Sequence, residues 1–165
     1  MTGVAVRRTA TPRWVHTLRF MARGRALVSP RAELELDAPL LLGRKTSISA
    51  FTQVSTAAGP VEIGARTDIG TGCSILGHPG GLFIGDDCLI SPNAVIGAAT
   101  LDATADEARP TRVGNNVWIG AGAVIMAGAE IAEGVIVSPN SVVSGVVTAN
   151  AIVQGNPSKI IFTRR

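Results

Sequence analysis

The sequence predicts an all-β chain wound into a single parallel β-helix of about five triangular coils. Aliphatic residues recur every six positions, the residue that follows them is usually small, and the composition suits a narrow prism. Hydrophobic residues make up 46% of the 165 residues and charged residues 16%, with 19 glycines, no tyrosine and two tryptophans. Such a core is built from Ile, Val and Ala rather than from rings.

The period of six starts at Leu42 and runs through Ile48 and Val54, then Ile63, Ile69 and Ile75, then Ile84, Ile90 and Ile96. It resumes at Val113, Ile119 and Ile125 and closes with Ile131, Val137 and Val143. Small residues follow at Gly64, Gly70, Gly85, Gly97, Gly114 and Gly120. A helix has neither this period nor a place for so many glycines. Three hexads make one coil of 18 residues, each supplying a short flat strand and a corner, and the inward side chains stack from coil to coil. Coils then rise by the ordinary strand spacing of about 4.8 Å, so that backbone amides pair with the coils on either side. Glycine and asparagine suit corners that need positive φ. Val135, Ser141 and Val147 are read as modest residues two positions before an inward aliphatic.

The interruptions carry the functional signal. Val54 to Ile63 and Ile75 to Ile84 are spaced by nine, and Ile96 to Val113 by seventeen. Each insertion follows the third hexad of a coil, so all three leave one edge of the prism. Gly77 to Gly81 is thereby placed beside the long loop from Ala98 to Arg112, and loops stacked on a rigid scaffold are where chemistry is expected.

Around the β-helix of residues 42–148 the sequence suggests a basic arm over 1–41, with a short amphipathic helix from Pro12 to Val28, and a C-terminal tail over 149–165 that Gly155-Asn156-Pro157 breaks from the coil. Residues 1–36 hold seven arginines against Glu33 and Glu35, a balance of +5 in a chain whose net charge is +3. Without a groove-reading motif, this arm is read as a solvated or partner-contacting face and not as a nucleic-acid binder. No apolar run reaches the length of a membrane span, and no secretion signal follows Arg7 and Arg8, which predicts a cytoplasmic chain. Cys73 and Cys88 lack metal-binding spacing and read as small buried hydrophobes.

The run V-G-N-N-V-W-I-G-A-G-A-V-I from Val113 to Ile125, with Ser141-Val142-Val143 and Gly155-Asn156-Pro157-Ser158-Lys159, closely resembles the hexapeptide-repeat acetyltransferases. That family includes the maltose, galactoside, xenobiotic and serine acetyltransferases, and the resemblance covers about residues 42 to 163. It implies a left-handed parallel β-helix and a homotrimer whose active sites lie between neighbouring prisms. It also implies acetyl-CoA, or another acyl-CoA, as co-substrate, with no metal required. Carried over by position, CoA contacts fall on Trp118, Ala121, Pro139, Ser144, Gly145 and Lys159. Where the family often has a basic residue this chain has Gly145, which leaves the phosphate grip to Lys159, Arg164 and Arg165.

Acyl transfer from a thioester to a hydroxyl or amine needs a base near neutrality, for which imidazole is suited, and donors aimed at the oxyanion, which backbone amides supply. In sugar acetyltransferases of the family the histidine stands in a context like A-A-T-H-D, whereas this chain reads Ala98-Ala99-Thr100-Leu101-Asp102. His78 is the candidate replacement that the resemblance offers, because His78 through Gly81-Leu82-Phe83-Ile84-Gly85-Asp86 is similar to the segment following the catalytic histidine of serine acetyltransferases. Gly77 stands where an aspartate is usual. Asp102, Asp106 or Glu107 could orient the ring, and Asp102 is taken as its partner. Two readings of His78 stand side by side, a catalytic base and a solvent-facing turn residue. His16 reads as a surface or interface residue. Trp118 could pack on the flat strand or line a groove, and Lys159 could hold CoA or be a solvated lysine.

Two functions follow: CoA-dependent acylation of a small-molecule or sugar hydroxyl or amine, or a repurposed binding or scaffolding trimer in which Leu101 marks lost activity. The carbonic anhydrase version of the fold needs three histidine ligands, and the chain has two histidines.

Overall fold

The computed structural model describes residues 26–99 and 109–165, and every regular element among them is a strand. The strands form three parallel faces joined in strict rotation, giving a left-handed parallel β-helix. The first coil shows the rotation: Leu27–Val28 lies on the first face, Glu33–Glu35 on the second and Leu40–Leu42 on the third. The second and third faces each carry six strands, one coil more than the five counted from Leu42.

Both ends of the prism therefore extend beyond the sequence boundaries. The strands of the first coil pair in register with the next, as in Val28↔Ile48, Leu34↔Val54 and Leu42↔Ile63, so residues 27–41 belong to the prism and not to the arm that the sequence suggests. Leu27–Val28 is strand where the arm helix was expected to end; the rest of that helix, up to residue 25, lies outside the described residues. At the other end the chain does not leave the coil after Val147. Ala151–Gly155 pairs parallel with Ile136–Val137, and Ser158–Thr163 then returns antiparallel along it through a hairpin with a cis Asn156–Pro157 peptide.

Two inward positions per hexad build the core. The aliphatic stack of the first face runs Val28, Ile48, Ile69, Ile90, Ile119, Val137 and Val153, all buried. Two residues before most inward aliphatics sits a small buried one, among them Cys73, Cys88, Ala94, Ala123 and Val135, whereas Ile84 is preceded by Leu82. Val147 departs from its expected place and is itself the inward residue of the third face, paired with Ile131. Both cysteines are free and buried, and burial pushes their thiols up from the ordinary range.

Threonine at the small inward position has a regular bonding pattern. Thr52 donates its hydroxyl to Gly70 O (2.7 Å) and accepts from Cys73 N (3.3 Å). Thr67 repeats this with Gly85 O (2.8 Å) and Cys88 N (3.1 Å). A hydroxyl in a core without water must place its one proton and fill a lone pair, and the adjoining coil supplies both partners.

The corners bring in more residue types than expected. Positive φ occurs at Asn93, Asn116, Asn140 and Asn150, but also at Lys45, Phe51, Arg66 and Asp87. Contacts between coils hold some of these in place. Arg66 forms a two-pronged pair with Asp87, both bonds 2.6 Å, and Arg31 lies over the Phe51 ring at 6.0 Å. Strain of this kind persists where surrounding structure over-determines it.

Replacing Ile119, fully buried at mid-prism, by alanine is expected to cost about 2–5 kcal/mol in chemical denaturation. Gln53→Ala, at an exposed outward position, is expected to change stability by no more than about 0.5 kcal/mol in the same assay.

Candidate active site

The edge between the second and third faces carries every insertion, as the spacing predicts. Leu76 leads out of the second face and Leu82 into the third, with Gly77 to Gly81 between them. Ala98 and Thr111 bracket the longest excursion one coil on. The two segments touch where both are described: Thr111 N donates to Gly81 O at 3.0 Å, and the Gly80 backbone lies against Arg109 O.

His78 is 4% exposed, which corrects the reading of a solvent-facing turn residue. Its Nε2 is 2.8 Å from Thr111 Oγ1, and the same oxygen accepts from Gly128 N at 2.8 Å. One hydroxyl, with no exposed surface, thus connects His78 to the corners of the next two coils. Glycine makes this burial possible. A Cβ on Gly97, at φ +85°, would sit 2.1 Å from Leu76 O, and one on Gly77 would sit 2.3 Å from Gly59 O. The Gly97 site would also lie 3.7 Å from His78 Cδ2, so bare backbone forms one wall of the imidazole site. Thr111 escaped sequence reasoning because it is one of several small inward residues; its place two before Val113 was legible, its partner was not.

The remaining predicted site residues divide between two edges. Trp118 faces outward on the first face, 41% exposed, its Nε1 donating to Ser91 Oγ at 2.9 Å. Neighbours in register are Leu89 and Ile136, followed by Ile152, a continuous apolar stripe on the later coils that Asp68 and Ser47 separate from Leu27 on the first. Ala121 and Pro139 are exposed at the edge between the first and second faces, where Asn140 N donates to Ala121 O at 2.9 Å. Ser144 and Gly145 are exposed at the insertion edge, with Glu130 N donating to Gly145 O at 2.9 Å. Lys159 is exposed in the closing hairpin opposite Gln154. Within one chain the second face separates the Ala121 and Pro139 edge from the edge of His78, Ser144 and Gly145. Asp102, Leu101, Asp106, Glu107 and His16 lie outside the described residues.

A shallow groove of about 640 Å³ runs along the third face toward its edge with the first face, away from the insertion edge, lined by Phe83, Arg112, Asn115, Glu130 and Glu133 among others. Arg112 lies over the Phe83 ring at 4.9 Å. Among the described residues no group of three or more His, Cys, Asp or Glu could hold a metal ion. No helix among them is long and apolar enough to cross a membrane.

Residues 110–145 match the family model described as bacterial transferase hexapeptide (six repeats). The match covers 36 of the 165 residues, on the later coils of the prism. Among the chain's relatives, the putative lipopolysaccharide biosynthesis O-acetyl transferase WbbJ of Escherichia coli (strain K12) is 36% identical over 101 residues, covering 61% of this chain and 49% of that protein. The galactoside O-acetyltransferase of the same strain is 33% identical over 86 residues, 47% of this chain and 42% of its own. The chain thus spans about half or less of the length of these relatives. Among solved structures, a variant of AntD, an N-acyltransferase from Bacillus cereus in complex with dTDP and coenzyme A, superposes with a TM-score of 0.74 at 20% identity, covering 90% of this chain and 88% of that one. The acetyltransferase domain of PglB from Neisseria gonorrhoeae gives 0.67 at 20% identity, covering 82% of this chain and 57% of that one. These likenesses establish the fold.

Gly97→Ala is expected to destabilise the chain more than Gly145→Ala in thermal unfolding. Both positions have positive φ, which costs about 1–2 kcal/mol for a residue with a Cβ, but only Gly97 lacks room, since nothing lies within 4 Å of the added carbon at Gly145.

Proposed function

We propose that this chain transfers an acyl group from coenzyme A to a hydroxyl or amino group of a small molecule or sugar, working as a cytoplasmic homotrimer. The observation that carries the reading is the stacking of all insertions, with His78 and the Ser144–Gly145 corner, on a single edge of a prism whose relatives are named as acetyltransferases. Trp118, Ala121, Pro139 and Lys159 are the remaining proposed contacts for CoA. The division of these groups between two edges favours a site made by two copies, one offering its insertion edge and the other its Trp118 face. The apolar stripe of Leu89, Trp118, Ile136 and Ile152 supports the same arrangement, since contiguous exposed apolar surface is characteristic of protein contacts.

His78 and Asp102 are the proposed pair for the acceptor's proton, with backbone amides of the glycine-rich corner stabilising the tetrahedral oxyanion. Exposed Lys159, Arg164 and Arg165 provide positive charge for the CoA phosphates through charge-assisted hydrogen bonds.

Calorimetry with acetyl-CoA is expected to give saturable heat, and release of free thiol with a panel of sugars, amino acids and small alcohols should identify an acceptor. His78→Ala should retain acetyl-CoA binding while lowering turnover by roughly 100- to 10,000-fold, the scale of a lost proton-transfer group. Saturable binding with unchanged turnover in that variant would remove His78 from the mechanism. The absence of any acetyl-CoA heat would point to a scaffold instead.

A further inference from the structure

Thr111 departs from the pattern of the other three threonines that stand two positions before an inward aliphatic. Thr46, Thr52 and Thr67 each donate their hydroxyl proton to a glycine carbonyl on the adjoining coil: Gly64 O at 2.5 Å, Gly70 O at 2.7 Å and Gly85 O at 2.8 Å. Thr52 and Thr67 also accept a backbone N–H. Thr111 accepts its N–H from Gly128 on the following coil, but its other partner is no carbonyl: it is His78 Nε2, on the preceding coil. A hydroxyl has one proton and two acceptor sites, so with one site filled by Gly128, donation to Nε2 satisfies both partners. The alternative, Nε2–H donating to Oγ1, leaves Thr111 two incoming protons and its own to place, in a position with no exposed surface.

We infer that Thr111 is a positioning residue that fixes the proton of neutral His78 on Nδ1 and keeps Nε2 as a hydrogen-bond acceptor. The ring geometry agrees, because the Cδ2–Nε2 side is the one packed against Gly97 and Thr111. The imidazole then presents an N–H donor at Nδ1, and it takes up a proton at Nε2 only by breaking the Thr111 bond. That consequence rests on the acyl-transfer reading; the proton's position does not. The His78–Thr111 pair would be restrained in its resting state, with Gly128 on the following coil holding the threonine's other side.

The test is nitrogen NMR on histidine-labelled protein carrying His16→Gln, so that a single imidazole is read, at a pH where the ring is neutral and without substrate. Two-bond proton–nitrogen couplings distinguish protonated from bare ring nitrogens. The expected result is a bare Nε2 and a protonated Nδ1, retained in Thr111→Ser and lost in Thr111→Val, with the tautomer ratio moving by roughly tenfold or more, the scale of one buried hydrogen bond. A protonated Nε2 in the otherwise unaltered chain overturns the assignment, even if Thr111→Val fails to fold. So does a Thr111→Val variant that folds and keeps the same tautomer. Because no substrate enters the measurement, a chain that never transfers an acyl group still passes or fails it.

Discussion

Each coil hands its amide protons to the carbonyls of the adjoining coil, and every other feature of the prism must fit within that strand spacing of about 4.8 Å. Leu89 N on Val117 O and Trp118 N on Val135 O, at 2.9 and 3.0 Å, are single links in that ladder. The spacing dictates that inward side chains stack on their own kind, and it sets the volume available at each level. Two inward residues per hexad fill that volume, one branched and one small, which is why isoleucine alternates with alanine, cysteine, threonine and valine where other folds use rings. The same ladder rewards residues that bridge coils, and the Arg66–Asp87 pair and the threonine hydroxyls both do so.

Most of this was legible in sequence because period and register are the same information. The inward stacks at Ile48, Ile69, Ile90 and Ile119 lie where counting by six places them, and the insertions leave one edge as the count requires. The first coil was missed for a local reason: Val28 to Leu34 keeps the spacing of six, but Leu34 to Leu42 spans eight across Asp37-Ala38-Pro39, amid arginines that read as a solvated arm. The last turn was missed because Gly155-Asn156-Pro157 reads as a breaker. It does break the coil, but only after Ala151 and Val153 have repeated the small-then-aliphatic pattern.

The candidate site was legible only to the level of an edge. A run of Gly-His-Pro-Gly-Gly looks like a solvated turn, since nothing local buries it. What encloses His78 comes from other coils: the bare backbone of Gly97 and the Thr111 hydroxyl, more than thirty residues away along the chain. Three glycines, Gly59, Gly77 and Gly97, take this edge in successive coils because carbonyl oxygens of neighbouring coils approach to distances that no Cβ tolerates. Sequence marks each as small without saying that their joint effect is to enclose an imidazole.

That enclosure bears on how the fold can host chemistry. A prism tied coil to coil has little freedom to rearrange, so a group inside it keeps the hydrogen bonds the ladder gives it, and a histidine there starts from a defined tautomer. Chemistry then depends on what approaches from outside the edge. In one chain the second face, with Val95, Val124 and Val142 pointing outward, lies between the His78 corner and the Ala121–Pro139 corner. No side chain can span two corners of a rigid prism, whereas a second prism laid alongside can bring one of its corners to the other's edge. Rigidity, which makes the repeat readable, therefore also holds the two corners of one copy apart, and that is why the proposed coenzyme A site draws on two copies.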